Sequence, residues 1–206
     1  MLIGISLGPG DPGLLTLKAV EALRSSSKVF VPGVMAADLA RAYCKPEILD
    51  FPMIGDEAKL EKIWSKNADI VAGYAATTLT GFACIGDINT FSTFTHLKRL
   101  MNQKYPNVEM DTTPGVGIVP ALASRFGIGL DRSFQVSDGS DQEAVIRIKA
   151  VQPRKIAQAL EEKGFGQFIL GTKLYTAEEE IVRAEVAGEM PERSDYFSVL
   201  YARKVR

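Results

Sequence analysis

A short apolar run that ends in a dense glycine and proline turn opens the chain and most constrains its fold. Residues 2–7 are mostly apolar, as expected for a buried strand. The segment GPGDPG at residues 8–13 then stops the strand, and apolar residues at helical spacing follow. Because ligands of open α/β sheets bind at strand ends, this turn is either a ligand site or a plain strand-to-helix connection. It lacks the Gly-Lys-Ser/Thr of a phosphate loop and the GxGxxG spacing of a dinucleotide site.

Two further glycine turns close predicted strands. The segment GDINTF at 86–91 follows a predicted strand at 80–85, and TPGV at 113–116 follows one at 108–112. A pattern of helical period comes after each turn, and Gly127 is expected to stop the second of these helices. Strands that alternate with helices up to about residue 127 predict a mostly parallel sheet.

The second half of the chain follows a different pattern. Strands are predicted there at 133–136, 144–149, 167–172, 181–186 and 196–204, with one helix at 153–163. Strands that follow one another without helices predict a mixed, antiparallel-rich sheet. The expected fold is therefore α/β with two domains, residues 1–112 and 113–206. In the first domain we also expect strands at 28–31 and 47–51, and helices at 16–24, 36–43 and, with Asp56 as N-cap, 56–66.

The composition restricts the classes of partner that this protein is expected to bind. The 206 residues are 46% hydrophobic and 24% charged, as in soluble globular proteins, and the formal net charge of -1 gives no general attraction to nucleic acid or anionic membranes. Cys44 and Cys84 match no metal-binding or redox spacing and favour a reducing cytoplasm. We expect no signal peptide, because the chain enters a strand directly. The uncharged stretch 70–86 contains threonines and glycines and is short for a membrane span, so we interpret it as buried interior.

Taken together, the three turns make nearly the whole chain resemble the tetrapyrrole methylase family. The segments Ser92-Thr93-Phe94 and Tyr196-Phe197-Ser198-Val199 are most similar to the subfamily that methylates precorrin-2, or its cobalt-containing form, at C-20 in cobalamin biosynthesis. The resemblance implies a two-domain α/β fold with the active site in the interdomain cleft. It also implies S-adenosylmethionine as methyl donor, a tetrapyrrole substrate, no protein-bound metal, and commonly a homodimer.

The resemblance also implies a set of site residues. Those expected to contact the cofactor, largely through backbone amides and small hydroxyls, are Pro9, Gly86, Asp87, Ile88, Ser92, Thr93, Phe94, Thr113, Pro114 and Gly115. Asp87 either accepts a hydrogen bond from the cofactor or caps its own turn. Asp11, which resembles a residue bordering the tetrapyrrole trough, is the one candidate for a catalytic role. His96, the single histidine, is expected at the surface or behind the site.

Basic residues are expected to bind the substrate carboxylates. The candidates are Arg125, Arg132, Arg147, Lys149, Arg154 and Lys155. The chain departs from the family pattern at Ile88, where proline is usual, and at residues 117–119, where serines are usual. It also departs at residues 147–149, where Met-Lys is usual. Ile88 is expected to leave its turn less rigid.

Three alternatives remain open at this stage. The chain could methylate another ring position, it could bind cofactor or tetrapyrrole without turnover, or it could be a plain nucleotide-binding domain. Diphthine synthase shares the opening motif but continues differently. Ile88 and Gly117 keep the non-catalytic alternative open, and the missing phosphate-loop lysine counts against the nucleotide-binding one.

Overall fold

The computed structural model describes residues 1–52 and 55–205 and divides the chain into two compact units, Met1–Arg132 and Ser133–Arg206. The predicted domain boundary between residues 112 and 113 falls inside the first unit and stays a prediction. None of the described helices has the length and apolar character needed to cross a membrane.

The first unit is built on a parallel sheet of five strands in the order β3-β2-β4-β1-β5. The first strand lies between the fourth and the fifth. The strands are β1 (Leu2–Ser6), β2 (Lys28–Val31), β3 (Pro46–Ile48), β4 (Thr80–Cys84) and β5 (Met110–Thr113), and the helices are α1 (Leu17–Ser25), α2 (Val34–Ala40), α3 (Glu57–Ala75), α4 (Phe94–Lys104) and α5 (Ile118–Phe126). Strands and helices alternate, so the predicted parallel α/β arrangement is confirmed.

Each face of this sheet packs against its own pair of helices. On one face, Leu2 and Phe82 join a hydrophobic cluster with residues of α3 and α4. On the other face, Ile5 and Val29 pack against α1 and α2. Burial on both faces explains why β1, β2 and β4 are largely apolar rather than alternating, whereas the less buried β3 and β5 contain charged residues.

The helix that follows Asp56 is longer than predicted. Asp56 is its N-cap and accepts a hydrogen bond from Lys59 N at 3.0 Å, as expected. The helix continues to Ala75 because buried residues such as Ala68 and Val71 maintain the helical spacing. The interpretation of 70–86 as buried interior is confirmed for core residues such as Val71 and Ala75 and for β4, but it is wrong for Tyr74, which is 45% exposed, and for the exposed residues 76–78.

The second unit is an antiparallel sheet of four strands in the order β6-β9-β7-β8. The single α-helix among its described residues packs on a core of residues such as Phe168 and Leu200. The strands are β6 (Ala144–Ile148), β7 (Phe165–Thr172), β8 (Glu180–Ala184) and β9 (Ser198–Lys204), and the helix is α6 (Pro153–Glu161). The expected antiparallel-rich second sheet is confirmed.

The strand predicted at 133–136 is wrong. These residues form no strand, and the alternating apolar residues Phe134 and Val136 are exposed. The alternation that suggested a strand has no described neighbouring strand to pair with, and pairing rather than local pattern decides whether a short strand forms.

Candidate functional site

The three glycine turns lie together at the carboxyl-terminal ends of strands β1, β4 and β5 in the first unit's sheet. Strand β1 runs parallel to β4 on one side and to β5 on the other, so the carboxyl ends of all three lie together. Gly8 N donates to Gly86 O at 3.2 Å, and Gly86 N donates to Gly8 O at 2.7 Å. Both glycines have positive φ, 71° and 79°, a region that disfavours a side chain. The first two turns are thus joined backbone to backbone.

Ser6, the last residue of β1, ties the first strand to both other turns. Its hydroxyl donates to Thr113 O at 2.6 Å and accepts from Ile88 N at 2.9 Å, and Ser6 N donates to Thr113 Oγ1 at 3.2 Å. The side chain is fully buried. The sequence analysis missed this residue, although a lone hydroxyl ending an otherwise apolar strand was a usable signal.

Asp87 links the second turn to the third. Its Oδ2 accepts from Gly115 N at 2.9 Å, while Oδ1 accepts from Asn89 N at 3.0 Å and from Thr90 Oγ1 at 3.1 Å. Of the two roles considered for Asp87, the capping of its own turn is present. The carboxylate also fixes where the third turn lies relative to the second.

Gly115 is required where the third turn approaches β1. A Cβ at this position would lie 2.3 Å from Ser6 Cβ and 3.2 Å from Gly86 O. Two residues later the packing is open, since a Cβ on Gly117 would meet only Asp87 Cβ, at 3.8 Å. The close approach therefore selects glycine at 115 and not at 117.

Two predicted cofactor residues have their side chains in the hydrophobic core. Ile88 is fully buried and Phe94 is nearly so, and both belong to the cluster under α3 and α4. Any contact that they make with a ligand at the turns must come from their backbone. The Ile88 N–H is already donated to Ser6, a bond that proline, the usual residue here in the family, could not make.

The first turn is held by its own side chains. Asp11 is exposed and accepts from Gly13 N at 2.8 Å, which caps the short helical turn Pro12–Leu14. Thr16 is the N-cap of α1, and its hydroxyl also donates to Pro114 O at 3.3 Å in the third turn. Pro9 lies partly buried in this turn.

Ser92 and Thr93, just after the second turn, line a cavity of about 450 Å³ together with Trp64 and His96. Ser92 Oγ accepts from Phe94 N at 3.1 Å. The His96 and Trp64 rings are stacked with centroids 4.2 Å apart. Burial, with a smaller contribution from Arg99, lowers the pKa of His96. His96 as a whole is exposed, in agreement with the expected surface position.

The basic residues expected to bind substrate carboxylates lie in different environments in the structure. Arg154 is used internally, since its Nε donates to Met190 O at 2.7 Å and its guanidinium pairs with Glu192 at 3.0 Å. Lys149 lines a cavity of the second unit. The others are exposed side chains: Arg125, Arg132, Arg147 and Lys155. Among the described residues, no group of three or more His, Cys, Asp or Glu side chains is arranged to hold a metal ion.

The surface that the three turns form at the strand ends fits a small ligand bound mainly through backbone groups. Asp87 is the one ionisable side chain among the residues expected to contact the cofactor, and both of its oxygens are engaged. A Cβ on Gly86 would meet nothing within 4 Å, so the surface of the turn is open on that side. Ser92 and Thr93, which are partly buried, follow this turn in the sequence. The N–H groups of four of the residues expected to contact the cofactor already donate within or between the turns: Gly86, Ile88, Phe94 and Gly115. A ligand such as S-adenosylmethionine would therefore be held by the remaining backbone groups and by side-chain hydroxyls.

Known proteins share sequence similarity with this chain. The family model described as Tetrapyrrole (Corrin/Porphyrin) Methylases matches residues 1–188. A Methanocaldococcus jannaschii protein named Probable cobalt-precorrin-2 C(20)-methyltransferase is 30% identical over 62% of this chain and 57% of its own length. The cobalt-precorrin-2 C(20)-methyltransferase of Salmonella typhimurium is 28% identical over 78% of this chain and 68% of its own length. The chain thus spans somewhat more than half to two thirds of these relatives.

Solved structures share the fold at low sequence identity. A cobalamin-synthesis-related protein (CobF) from Corynebacterium diphtheriae has a TM-score of 0.52 at 15% identity, covering 100% of this chain and 99% of that one. A uroporphyrin-III-C-methyltransferase from Thermus thermophilus has a TM-score of 0.51 at 16% identity, covering 98% and 91%.

Proposed function

Because the chain belongs to the tetrapyrrole (corrin/porphyrin) methylase family, we propose that it transfers a methyl group from S-adenosylmethionine to C-20 of precorrin-2 or its cobalt form in cobalamin biosynthesis. Its curated relatives from Methanocaldococcus jannaschii and Salmonella typhimurium are named for this reaction. The observation that carries the proposal is the intact joining of the three family turns by Ser6 and Asp87.

The proposed cofactor contacts are those of the turns. Backbone groups of Pro9, Gly86, Ile88, Phe94, Thr113, Pro114 and Gly115 surround the cofactor, and Ser92 and Thr93 add their hydroxyls. Asp87 acts by holding Gly115 in place, through the 2.9 Å bond to its N–H. In this proposal Ser6 is a positioning residue, because it touches the other turns and not the ligand.

The reaction depends on alignment more than on acid–base groups. S-adenosylmethionine, when bound, supplies an electrophilic methyl group on a sulfonium sulfur. The rigid turns hold the donor in one orientation toward the electron-rich carbon of the substrate, and orientation of this kind is worth up to ~7–11 kcal/mol. The three bonds to Asp87 and the two to the Ser6 hydroxyl provide that rigidity in advance. Asp11, exposed on the first turn, is proposed to contact the substrate.

The resemblance further supports a cytoplasmic homodimer as the working state. Sedimentation of the purified protein tests the dimer directly. A monomer at concentrations where methyl transfer is measured would contradict this part of the proposal without affecting the reaction.

The reaction is tested by anaerobic incubation with methyl-labelled S-adenosylmethionine and two tetrapyrroles, precorrin-2 and its cobalt form. Mass spectrometry reports methyl transfer, and carbon NMR locates the new methyl group. Label at C-20 on one of the two substrates supports the proposal and identifies the natural one. Label at another carbon retains the family reaction and excludes the C-20 assignment. Binding of the cofactor without any label would indicate a non-catalytic homologue.

A matched pair of variants connects the reaction to the turns. Asp87→Ala removes the acceptor for Gly115 N and should lower both cofactor affinity and turnover. Asp111→Ala removes an exposed carboxylate from the neighbouring strand β5 and should leave both unchanged. Equal effects of the two substitutions would argue against a cofactor site at the turns.

A further inference from the structure

Strand β6 forms an apolar edge of the second unit's sheet. It pairs with β9 on one side, and on its other side it pairs with no strand among the described residues. Two of its side chains remain largely in solvent, since Ile146 is 68% exposed and Ile148 is 72% exposed. The unpaired backbone of an apolar edge strand is a ready site for the addition of another strand.

The other sheet edges carry residues that discourage such pairing. Strand β3 begins with Pro46, which has no backbone N–H to donate, and β8 carries both Glu180 and Arg183. Strand β5 carries Asp111. In β6, by contrast, four of the five residues are apolar and only Arg147 is charged. Strand β6 is therefore the edge best suited to accept a further strand.

Residues 133–136, Ser-Phe-Gln-Val, have the sequence pattern of a strand but no partner. Phe134 and Val136 alternate with polar residues and are both exposed. None of the described backbone hydrogen bonds outside helices and strands involves these four residues. We call residues 133–136 the unpaired segment. The second unit thus contains both an open apolar edge and a segment that a sheet would stabilise.

The apolar side chains of the unpaired segment match those of β6. Phe134 and Val136 are two residues apart, as are Ile146 and Ile148, so each side chain of the segment can lie beside one of β6 on the same face. This match holds for a parallel and for an antiparallel alignment. The flanking residues decide between the two directions.

The charges that flank the unpaired segment favour the parallel direction. With Phe134 beside Ile146, Asp138 comes near Lys149, and opposite charges meet at that end. The antiparallel alignment brings Asp138 near Glu143 instead, and like charges that meet across strands are destabilising. At the other end of the segment, an aspartate and an arginine adjoin and offset each other in both alignments.

One copy of the chain cannot make this parallel pairing by itself. A crossover between parallel strands needs about a dozen residues or more, and only the seven residues 137–143 connect the unpaired segment to β6. This link is folded into a turn, in which Asp138 Oδ1 accepts from Ser140 N at 3.0 Å and Gly139 has a φ of 93°. A connection that is too short within one chain favours the exchange of a strand between two copies.

We propose that the unpaired segment of one copy adds as a parallel strand to β6 of a second copy, and that the exchange is reciprocal. A reciprocal exchange has two-fold symmetry and occupies the β6 edges of both copies. This inference rests on the homodimer of the proposed function, for which it names the contact surface, and not on the methyl-transfer reaction. Because two four-residue pairings are short, we expect a reversible dimer with a Kd in about the micromolar range.

Disulfide crosslinking between two differently tagged copies tests the pairing directly. Phe134→Cys and Ile146→Cys are introduced into separate full-length chains, which are co-expressed and purified through both tags. Both chains also carry Cys44→Ser, because Cys44 is partly exposed whereas Cys84 is buried. Opposed residues of neighbouring strands lie about 4.8 Å apart, within the range that a disulfide spans. Oxidised glutathione should therefore crosslink about half or more of the mixed dimers, and mass spectrometry should place the disulfide between positions 134 and 146.

The matched control uses the opposite edge of the same sheet. Ile181 is an exposed isoleucine of the edge strand β8, so Ile181→Cys co-expressed with Phe134→Cys should give only background crosslinking. Efficient crosslinking of Ile146→Cys to itself would show that two β6 edges pair with each other, and would overturn the inference. A chain with both Phe134→Cys and Ile146→Cys that forms only an intramolecular disulfide would overturn it as well.

The length of the link provides a test without cysteines. An insertion of about eight Gly and Ser residues between Gly139 and Ser140 makes the link long enough for a parallel crossover within one copy. The segment then meets its own β6 at an effective concentration of about millimolar, so the Kd of the dimer should rise about tenfold or more. The same insertion between the exposed residues Pro106 and Asn107 is the control and should leave the Kd unchanged. Sedimentation over a range of concentrations measures both.

The outcomes separate this inference from the proposed function. A crosslink between positions 134 and 146 of different copies, together with a weaker dimer after the insertion at Gly139, supports the inference whichever substrate is methylated. A dimer that gives no such crosslink, or that the insertion does not weaken, overturns the inference and leaves the homodimer in place. A protein that stays monomeric well above micromolar concentration overturns both, whereas the methyl-transfer assay alone decides the reaction.

Discussion

The hydroxyl of Ser6 accepts a hydrogen bond from Ile88 N at 2.9 Å, at the buried carboxyl-terminal end of β1. The family usually has proline at position 88, which has no N–H to donate. The expectation that Ile88 leaves its turn less rigid stays a prediction, and the N–H that isoleucine supplies is used to join the turn to β1. The departure from the family pattern thus comes with a hydrogen bond that proline at this position could not donate.

Ser6→Ala should destabilise the protein and weaken cofactor binding together. The substitution leaves Ile88 N without its acceptor and Thr113 O without its donor, and orphaned buried groups cost about 1–3 kcal/mol each. Urea unfolding gives the change in free energy, and calorimetry gives the affinity for S-adenosylhomocysteine. Ser25→Ala, an exposed serine at the end of α1, is the control and should cost less than about 0.5 kcal/mol. Equal stability of the two variants would contradict the joining role of Ser6.

Gly115→Ala should be poorly tolerated, whereas Gly117→Ala should be close to neutral. The added Cβ at 115 would lie 2.3 Å from Ser6 Cβ, and relief of such a clash costs about 1–3 kcal/mol and moves the third turn. At 117 the φ of -77° suits alanine and the nearest atom is 3.8 Å away. Thermal unfolding and S-adenosylhomocysteine titration compare the pair. A stable, binding-competent Gly115→Ala protein would show that the turn approaches β1 less closely.

Asp87→Asn tests whether both carboxylate oxygens are needed as acceptors. The amide group offers one oxygen and one NH₂, so either Gly115 N or the Asn89 and Thr90 donors must face a donor instead. We expect a loss of about 1–3 kcal/mol in stability or in cofactor binding. The same change at exposed Asp111 is the control. Normal affinity and stability of Asp87→Asn would mean that one acceptor is enough.

His96 should make stability depend on pH in one direction. Its pKa is lowered in the folded state from 6.5, first by burial and then by Arg99, although Glu61 acts in the opposite sense. The unfolded chain therefore binds the proton more readily, so stability is fully present above 6.5 and falls as the pH drops below it. His96→Gln should remove part of the difference between urea unfolding at about pH 7 and at about pH 5. An unchanged difference would show that the stacked ring titrates as it does in water.

Local pattern was sufficient for most elements of the fold. The apolar runs followed by glycine turns predicted β1, β4 and β5, and Asp56 and Gly127 predicted helix ends that the structure contains. A helix cap or a turn with a positive φ depends on only a few neighbouring residues. Such features can therefore be recognised in the sequence. The strand predicted at 133–136 failed because a strand also needs a partner, which local pattern does not reveal.

The sequence by itself determined the fold class, the three turns and the family of this protein, because each follows from short motifs whose chemistry is local. Tertiary structure alone decided how the turns are joined. Ser6 and Ile88 are 82 residues apart, and Asp87 and Gly115 are 28 residues apart. The residues close to each of them in sequence therefore do not indicate that these hydrogen bonds form. Their pairing arises because β1 lies between β4 and β5 in the sheet, and strand order is set by packing of the whole unit.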